Sequence, residues 1–135
     1  MYDIHLDHPP PLVPRQLRFE VRERRRADGD VHVPLDKAGL AALADQLAEA
    51  EVDCVVVCFM NSYAWPEHEE MAVAQLRADL PPHVHVLSST SVYPEFREYE
   101  RFSTAVLNGA LLTVMNAYLN RVTAGLEEIK VNADP

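Results

Sequence analysis

The sequence predicts an α/β domain in which a β-hairpin is followed by helix, strand, helix, strand and a long helix. Three observations carry that reading. Residues 52–59 are an apolar, largely β-branched run without alternation, as expected of a strand covered on both faces. Apolar residues recur at helical spacing before and after it. Helical and extended patterns then alternate along the chain, the order that gives at least two parallel strands joined by right-handed crossovers. A chain of 135 residues is long enough for one such domain with a real core and too short for two.

Taken in order, residues 1–14 carry Pro9, Pro10, Pro11 and Pro14, which predicts an extended, polyproline-like arm. Residues 17–33 read as the hairpin. Leu17, Phe19 and Val21 alternate with Arg18, Glu20 and Arg22, Asp28 and Gly29 supply the turn, and Pro34 ends the second strand. Asp36 is an N-cap candidate for a helix to about Ala50, with Leu40, Leu43, Ala44 and Leu47 on one stripe. After the strand at 52–59, a second helix begins near Pro66, a favoured first-turn residue. Glu67, Glu69 and Glu70 suit its positive end, and it stops before Pro81 and Pro82. Residues 84–87 form a short strand. The last helix runs over about 94–126, and Tyr99, Val106, Leu107, Leu111, Val114, Met115, Tyr118 and Val122 give it a broad apolar face. A helix of about 30 residues measures roughly 45 Å, longer than a domain of this size is wide, so part of that face needs a partner. Gly109 inside it costs about 1 kcal/mol relative to alanine and marks a break or a close packing contact.

A net charge of -9 argues against nucleic acid or an anionic membrane as the main partner. Six of the twelve basic residues nevertheless fall between Arg15 and Arg26. That stretch either faces an acidic surface or is solvated. Cys54 and Cys58 sit four positions apart on the predicted strand, about 13 Å and beyond disulfide reach. They read as buried thiols in a reducing compartment. With no apolar stretch near the roughly 20 residues of a membrane span and no signal-like start, the expected location is cytoplasmic.

The candidate chemistry lies where strands end. Asn61 and Ser62 follow the apolar strand, the position at which open α/β sheets gather ligands, although both residues also serve as ordinary turn formers. Ser88, Ser89, Thr90 and Ser91 close the next strand, and Glu95, Arg97, Glu98, Glu100 and Arg101 open the long helix. Hydroxyls and free N–H groups there suit an oxyanion, and the carboxylates suit orienting a water or a metal-bound ligand. The alternative is a serine cap, an i,i+3 pair between Glu98 and Arg101, and carboxylates complementing the helix dipole. His83 and His85, two apart on a strand, have metal-ligand spacing but no third ligand nearby, and His68-Glu69-Glu70 lacks the second histidine of a zincin helix.

Three strings then stand together: VPRQLRFEVRERRRADGDVHVPLD, VDCVVVCFMNSYAWPEHE and LSSTSVYPEFREYERFSTAVLN. In order and spacing they resemble the second part of the N-terminal region of the hydantoinase A family, which includes 5-oxoprolinase, N-methylhydantoinase and ketone carboxylase subunits. The resemblance covers about residues 2–126. It implies an actin-like (ribonuclease H-like) ATPase architecture, with ATP and magnesium used by a longer parent protein. It further implies as partners the remainder of that parent and a hydantoinase B-type subunit. Related actin-like enzymes place an acidic residue at a comparable strand-to-helix junction. By that likeness Glu95 and Glu98 are the catalytic candidates of the parent, and Ser89, Arg97, Arg101, Asn61 and Ser62 line its substrate or nucleotide cleft. The family's glycine-rich phosphate loops are not in these residues, whose glycines are Gly29, Gly39, Gly109 and Gly125. The expectation is therefore a domain fragment, inactive alone and without a cofactor of its own, whose exposed helix favours a homodimer. A subunit-docking module is the competing expectation.

Overall fold

The computed structural model describes residues 10–128. The first nine residues of the proline-rich arm, with His5 and His8, lie outside that range. Its elements are a 3-10 turn at Arg15–Leu17, strands β1 (Arg24–Arg25) and β2 (Val31–Val33), helix α1 (Lys37–Glu49), strand β3 (Cys54–Val57), helix α2 (Glu67–Asp79), strand β4 (His85–Ser88), and helices α3 (Ser89–Val92) and α4 (Glu98–Glu128).

The hairpin is shorter than predicted. β1 and β2 pair antiparallel over Arg24↔Val33 and Arg25↔Val31 with an irregularity between them, while residues 18–23 form no regular element. Pro34, which has no N–H, ends the ladder; just beyond it the Asp36 N–H donates to the Arg22 carbonyl as one more bond across the hairpin, and the Glu23 side chain meets His68. The predicted turn is present. Gly29 takes φ +96, a region open to glycine, and its N–H donates to the Arg26 carbonyl. A side chain at Gly29 would also strike Trp65, whose ring lies 2.7 Å from an ideal Cβ there.

Asp36 caps α1 as expected, its carboxylate accepting from the Gly39 N–H at 2.9 Å. β3 and β4 run parallel, with Cys54, Val55, Val56 and Val57 opposite His85, Val86, Leu87 and Ser88. α2 is the crossover between them. Alternation along the strands divides the side chains. Val57 and Val86 enter a core with Leu40, Ala44 and Leu47 of α1 and Ala72, Val73 and Leu76 of α2. Cys54, Val56 and Leu87 face α4 on the other side, at Gly109.

Gly109 is a close contact and not a break. An added Cβ would lie 2.9 Å from Val56 Cγ2 and 3.1 Å from Cys54 Sγ. Gly109→Leu is expected to lower stability by about 1–3 kcal/mol through overpacking, read as the shift in urea midpoint.

The long helix does not begin at Pro94. α3 follows β4 directly, capped by Ser88, whose hydroxyl accepts from the Ser91 N–H. The chain then stays irregular over residues 93–97, because Pro94 steers Tyr93 out of helical geometry and Arg97 takes φ +76. α4 keeps Arg101, Ala105 and Gly109 against the domain and leaves Tyr99, Leu107, Leu111, Val114, Met115, Tyr118 and Leu119 exposed. Among the described residues no single helix is long and apolar enough to cross a membrane. The two arms of α4, Glu98–Leu112 and Val114–Leu126, bent by 42°, reach that length and composition only together.

Candidate functional site

The carboxyl ends of β3 and β4 open side by side, and the segments that leave them meet at one carboxylate. Glu69 lies on α2 at the position that begins the stripe Ala72, Val73, Leu76, so helical spacing drives it inward, and it is fully buried. One of its oxygens accepts from the Phe59 N–H (2.8 Å), the Ser62 hydroxyl (2.8 Å) and the Ser89 hydroxyl (2.7 Å). The other accepts from the Thr90 N–H (3.1 Å) and the Thr90 hydroxyl (2.9 Å). A single side chain thus ties the loop after β3 to the turn after β4.

Arg101 completes the assembly from the α4 side. It is also fully buried, with Nε donating to Ser89 Oγ (3.0 Å), one terminal nitrogen to the Glu95 carbonyl (3.0 Å) and the other to the Phe59 carbonyl (2.9 Å). Its guanidinium lies 5.8 Å from the centre of the Tyr63 ring and 5.0 Å from that of Phe102. Ser89 therefore stands between a buried anion and a buried cation. Among the described residues no buried side-chain nitrogen or oxygen lacks a partner.

Of the residues singled out from sequence, Ser62, Ser89 and Arg101 are brought together here, buried and engaged within the chain. Asn61 sits at the rim in a left-handed conformation (φ +60). Its side chain donates to the Arg25 carbonyl at 2.8 Å, and its N–H donates to Glu98 Oε1 at 3.3 Å. Glu98, whose side chain is 29% exposed, also faces Arg101 at 3.7 Å. Partial burial pushes the Glu98 carboxyl up, but hydrogen bonds from its own and the Asn61 N–H and the charge of Arg101 outweigh this and hold it below the usual range. Glu95 and Arg97 are not drawn in. The Glu95 side chain is exposed, and Arg97 lies over Phe96 and 3.8 Å from Glu100.

Beside this network an open cleft of about 440 Å³ is bordered by Tyr63, Pro66, Glu70, Arg77, Thr90 and Ser91. Cys58 is held as a neutral thiol. Burial and the neighbouring Glu69 push it up to about 12 against a smaller opposing effect of Arg101. His83 and His85 gather no further ligand: His85 lies 3.4 Å from the Asn116 amide, and among the described residues no group of three or more His, Cys, Asp or Glu is placed to hold a metal. The arginine-rich stretch divides. Arg25 turns inward to Glu67 (3.2 Å) and the Trp65 ring, while Arg22, Arg24 and Arg26 stay exposed. Glu23 is buried against His68, 2.6 Å apart.

Sequence reasoning gave Glu69 only as a carboxylate at the positive end of its helix and Thr90 only among hydroxyls suited to an oxyanion; it did not join them in a buried network. The signal for Glu69 was available in its register, a carboxylate on the apolar stripe of its own helix.

Residues 1–80 match the sequence profile of the hydantoinase/oxoprolinase N-terminal region. The chain is 42% identical over 118 residues to the caprolactamase subunit alpha of Pseudomonas jessenii, an alignment that takes in 87% of this chain and 17% of that protein. Its structure is similar to the crystal structure of the ATP-dependent caprolactamase from the same organism, with a TM-score of 0.90 and 39% identity over 99% of this chain and 19% of that one. It is also similar to nucleotide-free acetone carboxylase, with a TM-score of 0.73 and 28% identity over 85% of this chain and 18% of that one. The chain thus spans less than a fifth of the length of these relatives.

Proposed function

Because the chain belongs to the hydantoinase/oxoprolinase family, as its N-terminal region, we propose that it is a segment of an ATP-dependent enzyme that opens a cyclic amide or imide, of the hydantoinase or 5-oxoprolinase kind, and that it has no activity alone. The observation that carries this reading is the superposition of nearly the whole chain on under a fifth of the ATP-dependent caprolactamase, an enzyme named for a cyclic amide. The strand ends of β3 and β4 supply the geometry a cleft wall needs. In this reading Ser62, Ser89 and Arg101 hold that wall from within, and Asn61, Glu95, Arg97 and Glu98 stand at its rim as the groups offered to substrate or nucleotide. The fold is then one part of an actin-like ATPase domain, the enzyme is cytoplasmic, and a hydantoinase B-type subunit completes it.

ATP with magnesium is the cofactor pair such an enzyme uses to activate an amide. The residues of this segment do not by themselves fit it. Gly29 lies in the hairpin turn, Gly39 in the first turn of α1, and Gly109 against the sheet, so these glycines form no phosphate cradle. The cradle belongs to other parts of the enzyme. Titration calorimetry of the 135-residue chain with ATP and magnesium is expected to give no binding heat, and micromolar affinity would overturn the assignment.

A second reading, a docking module that joins subunits, is favoured by the exposed apolar face of α4. Glu98→Gln and Arg97→Ala in the intact enzyme separate the two. Loss of turnover, on the order of tenfold or more, with assembly unchanged supports a cleft role. Weakened co-purification of the partner subunit with turnover per assembled complex unchanged supports docking.

A further inference from the structure

The role of Glu69 is not exhausted by packing. An apolar side chain at this position would continue the stripe Ala72, Val73, Leu76, and replacing buried ionic groups by apolar ones of similar volume is often neutral or stabilising. A carboxylate here gives the fold something an apolar residue does not: two oxygens with fixed directions. One gathers Phe59, Ser62 and Ser89, and the other takes both donors of Thr90. Thr90 in turn borders the open cleft with Ser91 and Tyr63. The backbone at the rim is held in conformations that non-glycine residues rarely adopt, at Asn61 (φ +60) and Arg97 (φ +76). Such conformations persist only where the surroundings impose them. Glu69 holds Ser62, the residue after Asn61.

We infer that Glu69 is a positioning residue of the parent enzyme, fixing Thr90 and the Ser62–Tyr63 loop in register so that the cleft bordered by Tyr63, Thr90 and Ser91 keeps the shape its substrate requires. This rests on the reading of the chain as part of an ATP-dependent cyclic-amide hydrolase. Glu69 touches no substrate itself. It acts through Thr90 on one side and Ser62 and Ser89 on the other.

The test is made in the intact enzyme that carries this segment. Glu69→Gln keeps the length and one acceptor oxygen but turns an amide toward the Thr90 N–H, which it cannot accept. Thr90→Val removes the hydroxyl and keeps the N–H. Glu69→Gln is expected to lower kcat/KM for ATP-dependent ring opening by about 10- to 100-fold, the scale of an ångström-sized misplacement, measured well below the unfolding temperature. Thr90→Val is expected to lower it less, and the double variant no further than Glu69→Gln alone, since both act on the same contact. A folded Glu69→Gln enzyme with unchanged kcat/KM, or losses that simply multiply in the double variant, overturns the inference. Should Glu69→Gln fail to fold, Thr90→Val decides alone, and unchanged kinetics there overturn it. A wild-type enzyme with no ATP-dependent turnover of any cyclic amide or imide overturns the functional reading and this inference with it, whereas an active wild type with unmoved variants overturns this inference alone.

Discussion

Replacing Arg101 by alanine is expected to destabilise the chain by about 3–5 kcal/mol, the cost of breaking a buried charge assembly by removing one member. Three consequences add together. The Glu95 carbonyl loses its arginine donor, the Phe59 carbonyl keeps only the Ser62 hydroxyl that Glu69 also draws on, Ser89 loses one partner, and Glu69 is left as a fully buried carboxylate without the cation across Ser89. A cavity also opens beneath the Tyr63 and Phe102 rings that flank the guanidinium. Since small domains are stable by only about 5–15 kcal/mol, this loss takes a large share of the total. Arg101→Lys keeps the charge but offers a point donor where a fork reaches three acceptors in different directions, so it is expected to recover only part of the loss. Urea midpoints of the two variants check the ranking. Equal midpoints for wild type and Arg101→Ala would mean that the network contributes nothing to folding.

Most of the element order was legible because it rests on local periodicity. The unalternating run at residues 52–59, the Asp36 cap and the proline stops act over a few residues, and the structure has them. What lay out of reach is set by contacts distant in sequence. The stretch before β1 alternates like a strand, yet it forms no ladder there and its Glu23 side chain meets His68, 45 residues away. The serine and threonine run at 88–91 reads from sequence as the close of a strand with a serine cap. It forms a separate short turn because Pro94 interrupts the chain and Glu69, 21 residues before Thr90, pulls that turn inward. Arg101 reads from sequence as an i,i+3 partner of Glu98 or a cleft-lining group, and its complete burial is not expected because arginine is almost never fully buried. Its place on the stripe with Ala105 and Gly109, four and eight residues on, was the sign that it faces the sheet.

The isolated 135-residue chain is expected to self-associate through α4, and Leu111→Glu with Tyr118→Glu is expected to make it monomeric. Leu107, Leu111, Val114 and Tyr118 repeat at spacings of four, three and four along a face turned away from the sheet, each more than half exposed. Contiguous apolar surface of this kind is rare on a soluble monomer and marks a contact. The reading of the chain as a segment of a longer enzyme accounts for such a stripe as one that the rest of that enzyme covers. In isolation a second copy offers the same stripe, and the apolar residues on either arm of the bent helix can pack against it. A carboxylate in the middle of an apolar seam must be buried without a partner, a cost of at least 2 kcal/mol and so about 30-fold or more in the dissociation constant. Neither substitution touches Arg101, Ala105 or Gly109, so helical content and the urea midpoint of the domain should hold while light scattering falls to the monomer mass. Wild-type chain that is already monomeric at tens of micromolar would show that the stripe has too little free energy to drive association. Loss of assembly in the intact enzyme carrying the same two changes would then identify the stripe as an internal contact of the enzyme instead.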